Sequence, residues 1–198
     1  MSGITPSQTV GPYFAIALTP GDYDWAPSVG NDLLTPDASG ERIRIEGRVL
    51  DGDAKPVSDA MIEIWQADAA GRYAHPADER ANPNSAFKGF GRAGTDESGT
   101  FRFETIKPGA VDGPNGPQAP HVVFGVFARG MLRQCYTRMY FSDEKANSQD
   151  RVLALVPQER RATLIAQRQD AGGGAGGHAG YRFDIRLQGE GETVFFDV

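Results

Sequence analysis

The chain has 198 residues, 39% of them hydrophobic and 23% charged, which suits one soluble domain with a core of ordinary size. A net charge of −6 argues against nucleic acid or an anionic membrane surface as partner. The single cysteine, Cys135, excludes an intrachain disulfide and fits a reducing cytoplasm.

Residues 1–40 read as an extended arm. TPSQTVGPYF and the turn-rich stretch that follows carry little periodicity, yet Tyr13, Phe14, Ile16, Leu18, Tyr23 and Trp25 give the arm an apolar content that favours docking over solvation. The start has neither the basic residues nor the unbroken apolar run of a signal peptide. No stretch of the chain reaches the apolar length of a bilayer span.

From Glu41 the pattern changes to alternation. Ile43, Ile45 and Val49 interleave with charged residues up to Leu50, the pattern of a half-buried strand, and Asp51-Gly52-Asp53 marks the turn. Ala60, Ile62 and Ile64 form a second strand, and residues 66–87 a long loop. Phe101 and Phe103 form a third strand after the TDESG turn. His121 to Ala128 is continuously apolar, which predicts a central strand covered on both faces. Cys135 to Phe141 alternates again, with Tyr136, Arg138 and Tyr140 on one side. Pro157 to Gln169 carries helical spacing with proline at its first turn. The glycine-rich stretch after Asp170 reads as a linker, Tyr181 to Leu187 as a strand, and TVFFDV as a short last one. The predicted fold is mostly β: an antiparallel β-sandwich with long loops, an extended N-terminal arm (1–40), a sandwich domain (41–198) and one late helix.

Motifs taken alone point to no chemistry. His75, His121 and His178 share no metal-ligand spacing, the carboxylates are scattered, and no serine sits in a nucleophile elbow. Cys135 reads as strand packing. His121, at a strand entrance below a loop rich in Pro and Gly, reads by itself as a satisfied structural histidine. Arg129 closes the apolar run VFGVFA, where a guanidinium either reaches back to solvent or receives an anion such as a carboxylate.

Four stretches together change the reading: TPSQTVGPYF (Thr5 to Phe14), EIWQADAAGRY (Glu63 to Tyr73), Thr105 through PHVVFGVFARG, and YRFDIRLQGEGETVFFDV at the end of the chain. In combination they resemble the intradiol ring-cleaving dioxygenases over nearly the whole length. The resemblance implies a β-sandwich assembled from related alpha and beta chains. In active members a non-haem ferric iron is held by two tyrosines and two histidines, and dioxygen cleaves the ring of a catechol-type substrate between its two hydroxyl-bearing carbons.

This chain departs from that ligand set at three of four positions. The expected HxH is His121-Val122-Val123, the turn that should carry a tyrosine has Val111, and DERANPNS around Arg80 and Ala81 offers none. Valine has no donor atom, and one imidazole does not hold ferric iron against water. The resemblance therefore implies a non-iron alpha-type chain, inactive alone, with His121 as a remnant and Val111 and Val123 at lost ligand positions. The Fe(III) of the assembled enzyme then belongs to an iron-bearing beta chain. By the same carry-over, Thr9, Gly11, Pro12 and Tyr13 of the arm line a wall of the partner's pocket. Arg129 meets the carboxylate of a substrate such as protocatechuate. Residues 47–65 with 95–103 also resemble transthyretin-like binding modules, which carry no chemistry, but those modules leave the arm, FARG and GEGETVFF unexplained. A facial triad of His75, His121 and a carboxylate has no support in spacing.

Overall fold

The computed structural model describes residues 18–20, 29–80, 85–114, 116–169 and 178–197. The alternating stretches become β1 (Arg42–Leu50), β2 (Met61–Gln66), β4 (Thr100–Ile106), β7 (His121–Phe127) and β8 (Cys135–Phe141). To these are added β3 (Phe90–Gly94), a small hairpin of β5 (Val111–Gly113) and β6 (Gly116–Gln118), then β9 (Ile165–Gln169), β10 (Ala179–Arg182) and β11 (Ile185–Arg186). Nine of them form one sheet in the order β11-β1-β10-β9-β8-β7-β2-β3, with β4 on the other side of β1.

That sheet folds over on itself. β9 is antiparallel to β10 at Gln167–Gln169 and parallel to β8 at Ile165–Ala166, so one short strand passes from one leaf to the other. At the opposite side, the segment before β1 ties the leaves together. Arg92 N–H of β3 donates to Gly30 O, and Glu104 of β4 exchanges bonds with Asn31 and Leu33. The result is a nearly closed, sandwich-like sheet.

The core between the leaves follows from the period-2 patterns. Ile43, Ile45, Val49, Phe101 and Phe103 face Ile62, Ile64, Val122, Phe124 and Val126, all almost completely buried. Each such side chain stabilises the fold by roughly 1.5–3 kcal/mol relative to exposure. Phe124 is the meeting point, with its ring 6.0, 6.4 and 5.2 Å from those of Phe101, Phe103 and Phe183. β7 lies between β2 and β8 with both faces largely covered, as its unbroken apolar run predicts.

Several expectations are corrected. The sheet is not purely antiparallel, because β1 runs parallel to β10 and β11 and β8 parallel to β9. The late helix is not at Pro157 to Gln169. The late α-helix, α1, is Arg151–Leu155, and Gln158–Leu164 forms 3-10 turns that lead into β9. Pro157 ends α1 and starts only the 3-10 turns: it pushes Val156 out of the α region, to φ −80°, ψ 132°. Leu164 and Ala166 are then buried by strand alternation, not on a helical face. The strand expected over Tyr181 to Leu187 is broken at Phe183–Asp184, where the Asp184 carboxylate accepts from Arg48 N–H. The last segment makes one bridge, Phe196 with Tyr136, and no strand. β3 has no clear alternation and is absent from the sequence reading. Among the described residues, no helix is long and apolar enough to cross a membrane.

Candidate functional site

β7 alternates cleanly. Val122, Phe124 and Val126 point into the core, which leaves His121, Val123, Gly125 and Phe127 on the outer face. Cross-strand pairing then assembles the site. Val123 lies between Trp65 of β2 and Arg138 of β8, and His121 lies opposite Tyr140. Tyr73, from the loop after β2, stacks on Trp65 with centroids 5.8 Å apart and planes 15° apart.

His121 is 3% exposed. Its Nδ1 is 2.7 Å from the Ala119 carbonyl, an acceptor only, so Nδ1 carries the proton and Nε2 keeps its lone pair in the neutral ring. Burial is the main reason its pKa lies below the usual 6.5; the Ala119 bond opposes the shift and the nearby Arg138 charge adds to it. Behind this contact sits Asp150, 2% exposed. Its carboxylate accepts from Ala119 N–H, Tyr140 O–H and Leu153 N–H, so one buried anion caps α1 and holds the entrance of β7. Burial and the adjacent Asp150 charge push the Tyr140 phenol far above its usual range.

The hairpin brings in the remaining position. Val111 pairs with Gln118, and the Gln118 side-chain carbonyl accepts from Arg138 Nη1 at 2.6 Å. In front of this group opens a cleft of about 680 Å³, lined in part by Trp65, Tyr73, His75, Asp78, Arg80 and Val111. Arg80 is not free to act there: Asp78, Asp112 and the Gly71 carbonyl share its N–H groups.

The structure thus gathers Val111, His121 and Val123, the three residues singled out as a remnant, around Arg138. It does not bring Arg129 to them. The six residue steps of β7 at ~3.3 Å each separate the two ends of the strand by roughly 20 Å. Arg129 is 80% exposed in its side chain and uses Nε on Asp59 at 2.6 Å, just before Gly130 turns the chain with φ +83°. Thr9, Gly11, Pro12 and Tyr13 lie outside the described residues. Leu18, the first residue after them to be described, is bonded through its carbonyl to Arg92, which also holds Glu63. His75 is exposed, and His178 half-buried beside β10.

A ferric ion, which the resemblance implies for active members, does not fit this donor set. Val111 and Val123 offer nothing, the Tyr140 phenol serves Asp150, and Arg138 adds a permanent positive charge. The described residues also hold no group of three His, Cys, Asp or Glu close enough for a metal. Two important residues were missed in the sequence. Arg138 was visible only as an arginine between two tyrosines on one strand face. Asp150 had a signal, an Asp just before the helical run RVLAL, which the proline-led helix obscured.

The dioxygenase family model matches residues 9–189. The chain belongs to the intradiol dioxygenase family. It is 48% identical to the protocatechuate 3,4-dioxygenase alpha chain of Burkholderia cepacia, over 98% of this chain and 97% of that one. Identity to the alpha chain from Pseudomonas putida is 46%, over 98% and 96%. The beta chain of Burkholderia cepacia is 39% identical over 91% of this chain and 77% of its own length. Among solved structures, the dioxygenase domain of a carbohydrate-binding fusion from Streptomyces sp. SirexAA-E superposes with TM-score 0.61 at 25% identity, covering 93% of this chain and 98% of that one. Catechol 1,2-dioxygenase from Acinetobacter sp. ADP1 shares the fold, with TM-score 0.63 at 19% identity, over 94% and 72%. A match of this length leaves no room for the shorter transthyretin-like reading.

Proposed function

We propose that this chain is the alpha, non-iron subunit of a protocatechuate 3,4-dioxygenase. The assembled enzyme cleaves 3,4-dihydroxybenzoate with O2 to 3-carboxy-cis,cis-muconate, placing one oxygen atom of O2 on each side of the broken carbon–carbon bond. One observation carries the reading. A chain that matches alpha chains along 98% of its length has valine at 111 and 123, the positions we read as those of lost ligands. In this reading the iron belongs to the beta chain, and the two chains build a cytoplasmic hetero-oligomer.

The chain's own part is binding and enclosure. With Nε engaged by Asp59, the two terminal nitrogens of Arg129 remain for a planar anion, the geometry that suits a carboxylate. Residues 9–13 close a wall of the partner's pocket, and Arg92, bonded to both Glu63 and the Leu18 carbonyl, anchors the base of that arm.

Co-expression with a beta chain tests the assignment. The expected complex has one iron per alpha–beta pair and turns over protocatechuate, while the chain alone does neither. Stoichiometric iron with ring cleavage by the isolated chain refutes it. In the complex, Arg129→Ala raises KM for protocatechuate about 10–100-fold, the loss of a charge-assisted pair worth ~1.5–3 kcal/mol. Catechol, which lacks the carboxylate, is affected much less. Equal losses on both substrates assign Arg129 to assembly instead.

A further inference from the structure

On the outer face of the sheet, β8 sets a cation beside β7. Arg138 is half-buried, directly across the ladder from Val123, and flanked on the next row by His121 and Tyr140. Its Nη1 donates at 2.6 Å to Gln118, which is the ladder partner of Val111. Of the four former ligand positions, Val123 is therefore the ladder partner of Arg138, His121 lies one row along, and Val111 is paired with its hydrogen-bond acceptor. The charge reaches its neighbours as well: it acts on the Tyr73 and Tyr140 phenols and on the His121 ring.

We propose that the Arg138 guanidinium takes the place of the metal ion in this chain. It supplies the fixed positive charge and ties β8 to the β5–β6 hairpin, and in doing so it keeps the site closed to metal. The proposal rests on reading Val111, His121 and Val123 as lost ligand positions. A bound metal would have joined these elements: a hairpin residue on one side and two residues of β7 on the other. Arg138 spans the same elements by a hydrogen bond to the hairpin and ladder pairing to β7. The Asp150 carboxylate, which makes no ion pair among the described residues, accepts from the Tyr140 hydroxyl on the row next to Arg138. A guanidinium stays protonated throughout the accessible pH range, so no change of conditions turns it into a ligand. It differs from a metal in one respect that matters for evolution of the site: restoring donors at 111 and 123 is not enough while it is present. A second cation brought to the same spot meets repulsion that a half-buried setting screens less than bulk water does.

Cobalt(II) titration of the full chain tests this. The variants are Val111→Tyr with Val123→His in three backgrounds: Arg138 retained, Arg138→Gln and Arg138→Lys. Folding of each is checked by circular dichroism. The Arg138→Gln background is expected to bind cobalt(II) at least ~100-fold more tightly than the other two, because Lys keeps the charge and Gln removes it. Equal affinity in all three overturns the proposal. Absence of binding in all three overturns it too, and removes the ligand-position reading with it. A second arm uses the otherwise natural chain, which needs no engineered site. Arg138→Met is expected to speed amide exchange in the β5–β6 hairpin by about 10-fold through loss of the Gln118 tie, with β7 and β8 unchanged. Unaltered hairpin protection overturns the tie. Neither measurement involves a partner chain or turnover, so failure here is distinct from failure of the subunit assignment.

Discussion

Asp150→Asn is the substitution whose cost the geometry defines best. The carboxylate is 2% exposed and serves three donors: Leu153 N–H at 2.7 Å and Tyr140 O–H at 3.1 Å on Oδ1, Ala119 N–H at 2.8 Å on Oδ2. An asparagine keeps the volume but has one oxygen, so its NH2 must face either Ala119 N–H or the Leu153–Tyr140 side. The tyrosine hydroxyl can rotate to accept, but a backbone N–H cannot. One buried N–H is therefore left without a partner, at about 1–3 kcal/mol. The bonds that survive lose their charge assistance, at about 1 kcal/mol more. The sum is a loss of roughly 2–4 kcal/mol. With a urea m-value of about 2 kcal/mol/M, the unfolding midpoint falls by about 1–2 M at constant slope. The disturbance extends to the candidate site, because Ala119 presents the carbonyl that orients His121. Amide exchange at Ala119 and at the first residues of β7 rises more than at β1. A midpoint within experimental error of the unaltered chain refutes the argument, since it means that the carboxylate does not hold these donors.

Three further outcomes are expected. Phe124→Ala opens a cavity where the two leaves meet and costs about 3–5 kcal/mol, lowering Tm by roughly 10 °C; a calorimetric shift below 3 °C contradicts the packing. Gly47→Ala puts a Cβ 1.7 Å from the Phe183 carbonyl oxygen, so backbone must move, and thermal scans show a loss of about 2–3 kcal/mol or more. The His121 pKa is depressed in the folded chain, so the unfolded chain binds the extra proton first and stability drops as pH falls below about 6.5. Urea unfolding between pH 8 and 5.5 shows a steeper decline in the natural chain than in His121→Gln, and parallel declines rule out the histidine as the cause.

Much of the fold was readable because a half-buried strand needs only alternation, and Ile43-Arg44-Ile45 or Phe101-Arg102-Phe103 displays it in three residues. The reading failed where local patterns agree with two structures. Ala162, Leu164, Ile165 and Arg168 fit a helical face, yet the same residues suit a 3-10 segment feeding a strand, and burial of Leu164 and Ala166 decided between them. β3 escaped because Gly91, Ala93 and Gly94 give almost no hydropathy contrast; Gly91 is there to admit Leu33, whose side chain sits 2.5 Å from where a Cβ would be. His121 could be singled out by its place before an apolar run. Arg138 could not, since nothing local distinguishes an arginine in TRMYF from any solvated one.

Residue type carries its own chemistry, and a single strand carries its own periodicity, whatever the rest of the chain does. Valine at 111 and 123 has no lone pair in any fold, and Val122, Phe124 and Val126 share a face in any strand. The tertiary structure decided what meets what: the parallel course of β1 beside β10, the passage of β9 between leaves, and the register that sets Arg138 beside Val123. Register is a property of pairs of strands far apart in the chain, and a slip of one residue would turn Arg138 to the opposite face. That choice is made by burial summed over the whole sheet. The exchange of a metal's place for a guanidinium was therefore not visible in the residues one at a time.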